Sequence, residues 1–361
     1  MNKKYPYSIV AFLGLLAAFA SCSTTKQYTL SALEPATVDL ATTITKIGVI
    51  NESSTSKKSA YNTRIEQILS AKDHQLEQDG IDAAIAGLFD ELLKDQRFDT
   101  VQLIHTKLNN SKGLGASAET ISWNAVKDIC DTHGVDAIFS LAYYEADTQV
   151  SLKKKTVKEQ NMLRQYIKVQ GHEITLETLI ENGWRIYDPY NQKVIDELVF
   201  NDQITSTGTG TNPMDAFYDI NDLREAVLDQ SKNSGSSYGL RLLPQEQDVV
   251  REYYVRGSNK LVEAKKWAIE GDWQAAAALW EQEVANDNHK IKAKACYNMA
   301  FYSEMNDKYQ AALEWAEKSY DLDNTKEALL YLDALKERIA QNKIVEKQLQ
   351  RSELSAAVGL E

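Results

Sequence analysis

Glu270-Gly271-Asp272-Trp273-Gln274-Ala275-Ala276 returns 36 residues later as Asn306-Asp307-Lys308-Tyr309-Gln310-Ala311-Ala312. A heptapeptide that repeats at this offset restricts the last third of the chain to stacked pairs of helices. In each copy a small or polar residue makes the tight turn. An aromatic side chain then fills the gap between the two helices, and alanines let them approach closely. One pair cannot bury its apolar face alone, so the copies must stack on each other and on a closing element. The run Lys326–Ala340, with Ala328, Leu329, Leu332 and Leu335 at helical spacing, is suited to close the stack. The spacing predicts helical repeats over 244–340 and a C-terminal tail over 341–361.

The preceding 200 residues have a different rhythm. Lys46–Asn51 is a short β-branched run, Asp82–Leu93 repeats apolar residues at helical spacing, and Phe98–Ile104 is again strand-like. Ser122 is placed to cap a helix through Trp123, Val126, Ile129 and Cys130 that stops at His133-Gly134, and Val135–Leu141 follows as a third strand. Strand, helix, strand, helix, strand implies a partly parallel sheet with helices packed on it. Gln165–Glu181 alternates, and the turn cluster Pro189-Tyr190-Asn191-Gln192 separates Gly183–Asp188 from Lys193–Leu198, which predicts a hairpin extending the sheet. A Thr/Gly-rich loop over Ser206–Asn212 and a helix over Ala216–Leu228 complete this part. The expectation is an α/β (α+β) domain with a mixed sheet over 44–243, followed by the all-α repeat domain.

Residues 1–21 carry Lys3 and Lys4, an apolar stretch from Tyr7 to Phe19, and small residues before Cys22. This is the charge and hydropathy order of a bacterial secretion signal, and the apolar run is shorter than a bilayer span requires. Phe19-Ala20-Ser21-Cys22 resembles the lipobox of bacterial lipoproteins, which implies acylation of Cys22 and a lipid anchor. An ordinary signal peptide with an incidental cysteine is the alternative. Residues 22–43, rich in Ser, Thr and Ala, are expected to be a tether. No acidic cluster follows Cys22, which favours the periplasmic side of the outer membrane. The net charge is −12 and becomes −14 once Lys3 and Lys4 leave with the signal. That balance opposes nucleic acid and equally opposes peripheral binding to anionic lipid, so membrane attachment is expected to rest on the anchor. Of the remaining cysteines, Cys130 and Cys296 are expected to be buried free thiols rather than a disulfide.

The repeated segment resembles tetratricopeptide repeats, through Ala264, Trp267, Trp273 and Ala276 in the first copy and Met299, Ala300, Tyr309 and Ala312 in the second. Asp321-Leu322-Asp323-Asn324 stands where that family usually has Asp-Pro, and Glu263 where it has a large apolar residue. The resemblance implies a concave groove that receives a peptide or a partner helix. Tyr297, Asn298, Phe301 and Met305 would line it, with Lys265 and Ile269 as their counterparts in the first copy. The alternative is that Tyr297 and Phe301 pack against a neighbouring repeat or the first domain. In the first domain, Lys46–Asn51, Phe98–Ile104, Gly134–Phe139, Trp184–Asp188 with Val194–Glu197, and Tyr238–Pro244 with Arg251–Tyr254 resemble the domain shared by curli-secretion lipoproteins and lipoprotein activators of peptidoglycan synthases. The whole arrangement resembles a family of lipoproteins from Gram-negative gut and oral bacteria.

Chemistry is harder to find. The five histidines, His74, His105, His133, His172 and His289, have no metal-ligand spacing. No serine sits in a Gly-x-Ser-x-Gly frame. Ser111–Ser117 and Thr207–Thr211 lack the ending of a phosphate loop, and Lys153-Lys154-Lys155 with Lys158 reads as a solvated hairpin end. The expectation is therefore a protein with no catalytic residues, metal or cofactor: a membrane-anchored scaffold whose repeats bind an envelope protein or peptide. Two alternatives stand beside it. One is an oligomerising component of a secretion or assembly system, with hairpin candidates in residues 146–205. The other is a cell-envelope enzyme acting on glycan or cell wall.

Overall fold

The computed structural model describes residues 24–53, 64–106, 119–160 and 162–358. The signal segment, Cys22 and the Ser111–Ser117 loop lie outside these residues. The chain divides into two compact units, one of residues 36–245 with 347–361, the other of residues 1–35 with 246–346.

The first unit is built on a five-stranded mixed sheet. Its elements are β2 (Lys46–Asn51), α1 (Arg64–Lys94), β3 (Thr100–Leu103), α2 (Trp123–His133), β4 (Ala137–Gln160), β5 (Tyr166–Asp188), β6 (Lys193–Gly210), α3 (Pro213–Tyr218) and α4 (Leu223–Leu240). Strand β1 (Thr25–Glu34) belongs to the other unit. The order in the sheet is β3-β2-β4-β5-β6. β2 runs parallel to both β3 and β4, from Lys46 beside Thr100 and from Ile47 beside Ala137. β4, β5 and β6 form an antiparallel meander, with Gln160 opposite Tyr166 and Asp188 opposite Lys193.

Period-two alternation divides the strand residues between two cores. Ile47, Val49, Phe139, Leu141, Trp184 and Ile186 face α1 and α4. Ile50, Ile138 and Tyr187 face α2 through Val126, Ile129 and Cys130. Trp184 stacks on Tyr238 of α4 with ring centres 5.5 Å apart. Helix α2 has the expected ends: the Ser122 hydroxyl accepts from the Ala125 N–H, and Gly134 takes φ +65° to close the C-terminus. Helices α1 and α4 touch at backbone distance. A β-carbon on Gly235 would stand 1.9 Å from the Ala84 carbonyl oxygen, and one on Gly87 2.0 Å from that of Lys232.

The second unit holds β1, β7 (Gln245–Tyr254), α5 (Asn259–Glu270), α6 (Trp273–Glu283), α7 (His289–Met305), α8 (Tyr309–Leu322) and the part of α9 (Lys326–Val358) that ends at Glu346. α5–α6 and α7–α8 are two helical pairs whose turns fall on the two copies of the repeated heptapeptide. Gly271 closes α5 at φ +86° and Asp307 stands at φ 57° after α7, so both copies use a left-handed residue at the same point. Among the described residues no helix is long and apolar enough to cross a membrane.

Several expectations are corrected. Residues 25–34 are a strand rather than part of a tether, because β1 pairs with β7. The Val255 N–H donates to the Thr24 carbonyl, and Gln27 and Ser31 reach Glu252 and Glu246, so the two strands run antiparallel. Residues 36–43 are also fixed: the Val38 N–H donates to the Arg241 carbonyl and the Ala36 N–H to Gln348. Gln348 lies in α9, which continues to Val358, so the span taken as a tail is helical almost to its end. The Thr/Gly stretch over 206–210 is the end of β6, whose glycines lie directly beneath α3: a β-carbon on Gly208 would meet the Ala216 carbonyl oxygen at 2.1 Å. The helix expected over 216–228 is two helices, α3 and α4. Residues 245–254, expected to be helical, are β7. Pro244 cannot continue a helix, and the paired tyrosines that end β7 need opposite directions.

Candidate functional site

The helical unit is organised around β7. Tyr253 points into the cluster of α5, α6 and α7, and Tyr254 into that of α7, α8 and α9. Tyr253 stacks on Phe301 at 5.4 Å and meets Trp273 and Trp280 at 5.5 and 5.9 Å. Tyr254 meets Tyr297 edge-on at 5.1 Å, and Tyr297 in turn lies 4.9 Å from Tyr331. Asn298, fully buried, holds the strand by its backbone. Its Oδ1 accepts from the Tyr254 N–H at 2.6 Å, and its Nδ2 donates to the Tyr254 carbonyl at 2.7 Å. One amide thus satisfies both main-chain groups of a buried residue that lacks a second strand on that side.

A charged network extends this grip. The Arg251 guanidinium donates to both carboxylate oxygens of Glu304, at 2.9 to 3.1 Å, and the Tyr331 hydroxyl donates to Glu304 at 2.7 Å. Burial raises the Tyr331 pKa well above the ordinary phenol value, and the Glu304 charge adds to it. Arg338, 5% exposed, pairs with Glu34 of β1 at 2.9 Å.

Tyr297, Asn298 and Phe301 are therefore buried against the chain's own β7 and cannot line an open groove. Of the six residues expected there, Ile269 is exposed, Lys265 is half-buried, and Met305 is half-buried against the cluster that holds Phe301. The signal missed was β7 itself, although Arg251–Tyr254 belongs to the segments that carry the resemblance; Glu304 and Arg338 had no sequence signature of their own.

The open surface with the most distinctive chemistry is the far end of the β4–β5 hairpin. β2 accompanies β4 only as far as Leu141, and β6 accompanies β5 only from His172 onward. Lys155–Gln160 and Tyr166–Gly171 therefore pair only with each other, as the two-stranded end of an arm that runs from Lys153 to Glu173. Its end carries Met162, Leu163, Tyr166 and Ile167, all exposed, Met162 completely. Lys153, Lys154, Lys155, Lys158, Arg164 and Lys168 accompany them, against Glu159 and Glu173, with Lys155 paired to Glu173. The lysine run is a solvated hairpin end, as expected.

At the carboxyl end of β2 a polar cluster lies between β2, β4 and β5. Burial raises the Glu52 pKa, while the neighbouring Ser140 and Tyr187 hydroxyls and the charge of Arg185 act in the opposite direction. Arg185, 4% exposed, donates through Nε to Glu197 at 2.8 Å. A separate cavity of about 640 Å³ lies between α1 and the ends of β2 and β3, lined by Asn51, Asp82, Phe89, Asp90 and His105 among others. Among the described residues no three His, Cys, Asp or Glu side chains are grouped so as to hold a metal ion. Cys130 and Cys296 are buried free thiols.

Residues 44–254 match the family described as "Domain of unknown function (DUF8603)", and residues 262–337 match "Domain of unknown function (DUF6340)". No curated protein matches the chain. Among solved structures, the PelC dodecamer from Paraburkholderia phytofirmans is similar at 12% identity, covering 58% of this chain and 96% of that one, with a TM-score of 0.23. A neuraminyllactose-binding hemagglutinin homolog from Helicobacter pylori is similar at 8% identity, covering 63% and 90%, with a TM-score of 0.26. At such scores neither likeness bears on fold or function.

Proposed function

We propose that this chain, which belongs to the DUF8603 family, is a lipid-anchored, non-catalytic scaffold of the bacterial envelope that recruits a protein partner through its β4–β5 arm. Acylation at Cys22, an outer-membrane location facing the periplasm and tetratricopeptide-like repeats in the helical unit are parts of the same reading. The sequence before Cys22 and the repeated heptapeptide support them. The observation that carries the binding role is the arm. A two-stranded ribbon is marginal in water, and here it ends in four exposed apolar side chains. Exposed apolar surface of this kind marks an interaction site. The helical unit, in this reading, uses its groove to hold β7 and leaves recruitment to the arm.

A second reading, oligomerisation within a secretion or assembly system, is favoured by one feature. The arm carries six basic and two acidic side chains in a chain of net charge −12, so it is complementary to the rest of its own surface. A photo-crosslinking residue placed at Leu163 in cells, with the same residue at exposed Tyr218 as control, separates the two. A heterologous protein captured at 163 and absent at 218 supports the scaffold. Crosslinks between copies, together with a stable multimer in native mass measurement, move the assignment to the assembly component. Equal capture at both positions removes the arm as the binding element.

A further inference from the structure

We propose that the helical unit lies directly on the membrane, with a basic face formed by the start of β1, the β7–α5 turn and the first turns of α7 against anionic lipid headgroups. The inference rests on the reading of Cys22 as the lipid anchor. It follows from how little chain separates that residue from the fold. β1 begins at Thr25, and Thr24 is already fixed by the Val255 N–H at 2.9 Å. At ~3.3–3.6 Å per extended residue, the three residues from Cys22 to Thr25 span at most about 10 Å. An acylated Cys22 would therefore hold this end of the unit at the headgroups, with no tether to let it turn away.

The surface at that end has the matching charge. The segments 24–26, 256–260 and 289–294 contribute Lys26, Arg256, Lys260, Lys290, Lys292 and Lys294 and no acidic residue. The geometry joins them. Arg256 follows Val255, the partner of Thr24. Lys294 donates through Nζ to the Arg256 carbonyl at 3.3 Å and stands 5.2 Å from the centre of the Tyr254 ring. Lys290 lies one turn before Lys294 on the same face of α7. Lys260 lies in the first turn of α5, whose N-terminus is capped by Ser258. Lys26, Arg256, Lys260 and Lys290 are exposed. Acids border this face rather than interrupt the three segments: Glu252, which accepts from Gln27 beside Lys26, Glu263 and Asp287 in sequence, and Asp323 and Glu327, whose charges reach Tyr254. In a chain that is acidic as a whole, a basic face at the point where the anchor leaves is the complement of a negatively charged leaflet, and adds a second signal to the acyl chains.

The test uses full-length lipoprotein purified from membranes and reconstituted into vesicles containing anionic lipid and a headgroup-attached fluorescence acceptor. Donor dyes are placed by Asn259→Cys and His289→Cys, which leave the basic side chains intact, and by Lys308→Cys beyond the far end of α7. At 1.5 Å per residue the two ends of that helix stand about 25 Å apart. Mass measurement of the N-terminal peptide is made on the same preparation. The expected result is an acylated Cys22 with strong donor quenching at 259 and 289 and little at 308. A triple variant, Arg256→Glu with Lys290→Glu and Lys294→Glu, is expected to reduce that contrast while the protein stays in the vesicles. Acylated protein with equal quenching at all three sites overturns the orientation and leaves the anchor standing. An unacylated N-terminus overturns both.

Discussion

Asn298 joins the helices to β7 through a single side chain. Replacing it by leucine keeps the volume but leaves the Tyr254 N–H and carbonyl buried without partners, a loss of ~1–3 kcal/mol for each unmade bond. Asn298→Leu is expected to lower the urea midpoint of the helical unit by the equivalent of about 2–6 kcal/mol. Glu52 gives a prediction of opposite character. Its pKa is raised on folding, chiefly by burial, so the native state binds the proton more tightly than the unfolded chain. Its contribution to stability is fully present below the ordinary carboxyl pKa and is lost as pH rises through the higher, folded value. Glu52→Gln is expected to remove this decline, so the variant gains on the parent as pH rises above the ordinary carboxyl range in unfolding measurements. Glu52 has no signal in the sequence, whereas Asn298 is among the residues expected to line the groove. Asn298 was placed on the correct face of its helix, but its partner was a strand that propensity did not reveal.

Among the elements, α1 and α4 show how small residues set a distance. With Gly87 and Gly235 each against a carbonyl of the facing helix, a methyl group has no space unless the backbones separate. Gly235→Ala is expected to destabilise the sheet unit by ~2–3 kcal/mol or more, as overpacking does, with a fall in thermal midpoint that Ser236→Ala, at a half-buried position, does not reproduce. The elements legible in the sequence were those whose signals are local. β2, β3 and α2 follow from β-branched runs, a capping serine and a closing glycine, and the paired turns at Gly271 and Asp307 follow from the repeat. What escaped was set by partners far away in the chain. β1 and β7 are ordinary polar stretches until they meet each other and the aromatic side chains of α6 and α7. β6 continues through Thr207–Gly210 because β5 lies beside it, although Thr and Gly alone suggest a loop. β4 and β5 outrun their β2 and β6 neighbours because each is the other's partner, a length that alternation alone could not fix.

At the scale of the molecule, the two compact units are not consecutive stretches of sequence. The helical unit takes its first strand from residues 25–34 and its second from residues 245–254, with residues 36–245 of the sheet unit encoded between them and its remaining residues, 347–361, after the helices. A C-terminal piece cut at the apparent boundary, residues 256–346, would lack both strands and leave Trp273, Tyr297 and Phe301 uncovered. Such a fragment is expected to bind hydrophobic dye and melt without cooperativity. The same fragment carrying residues 24–35 and 245–255 on flexible linkers is expected to regain a sharp transition. The arrangement also imposes an order on biogenesis. β1 is synthesised first, yet its partner follows some 210 residues later. Closing so long a loop costs about 5 kcal/mol of chain entropy, and the helices that reward it are made later still. Until then β1 waits with its edge unpaired, at the stage when the new chain is most open to mispairing.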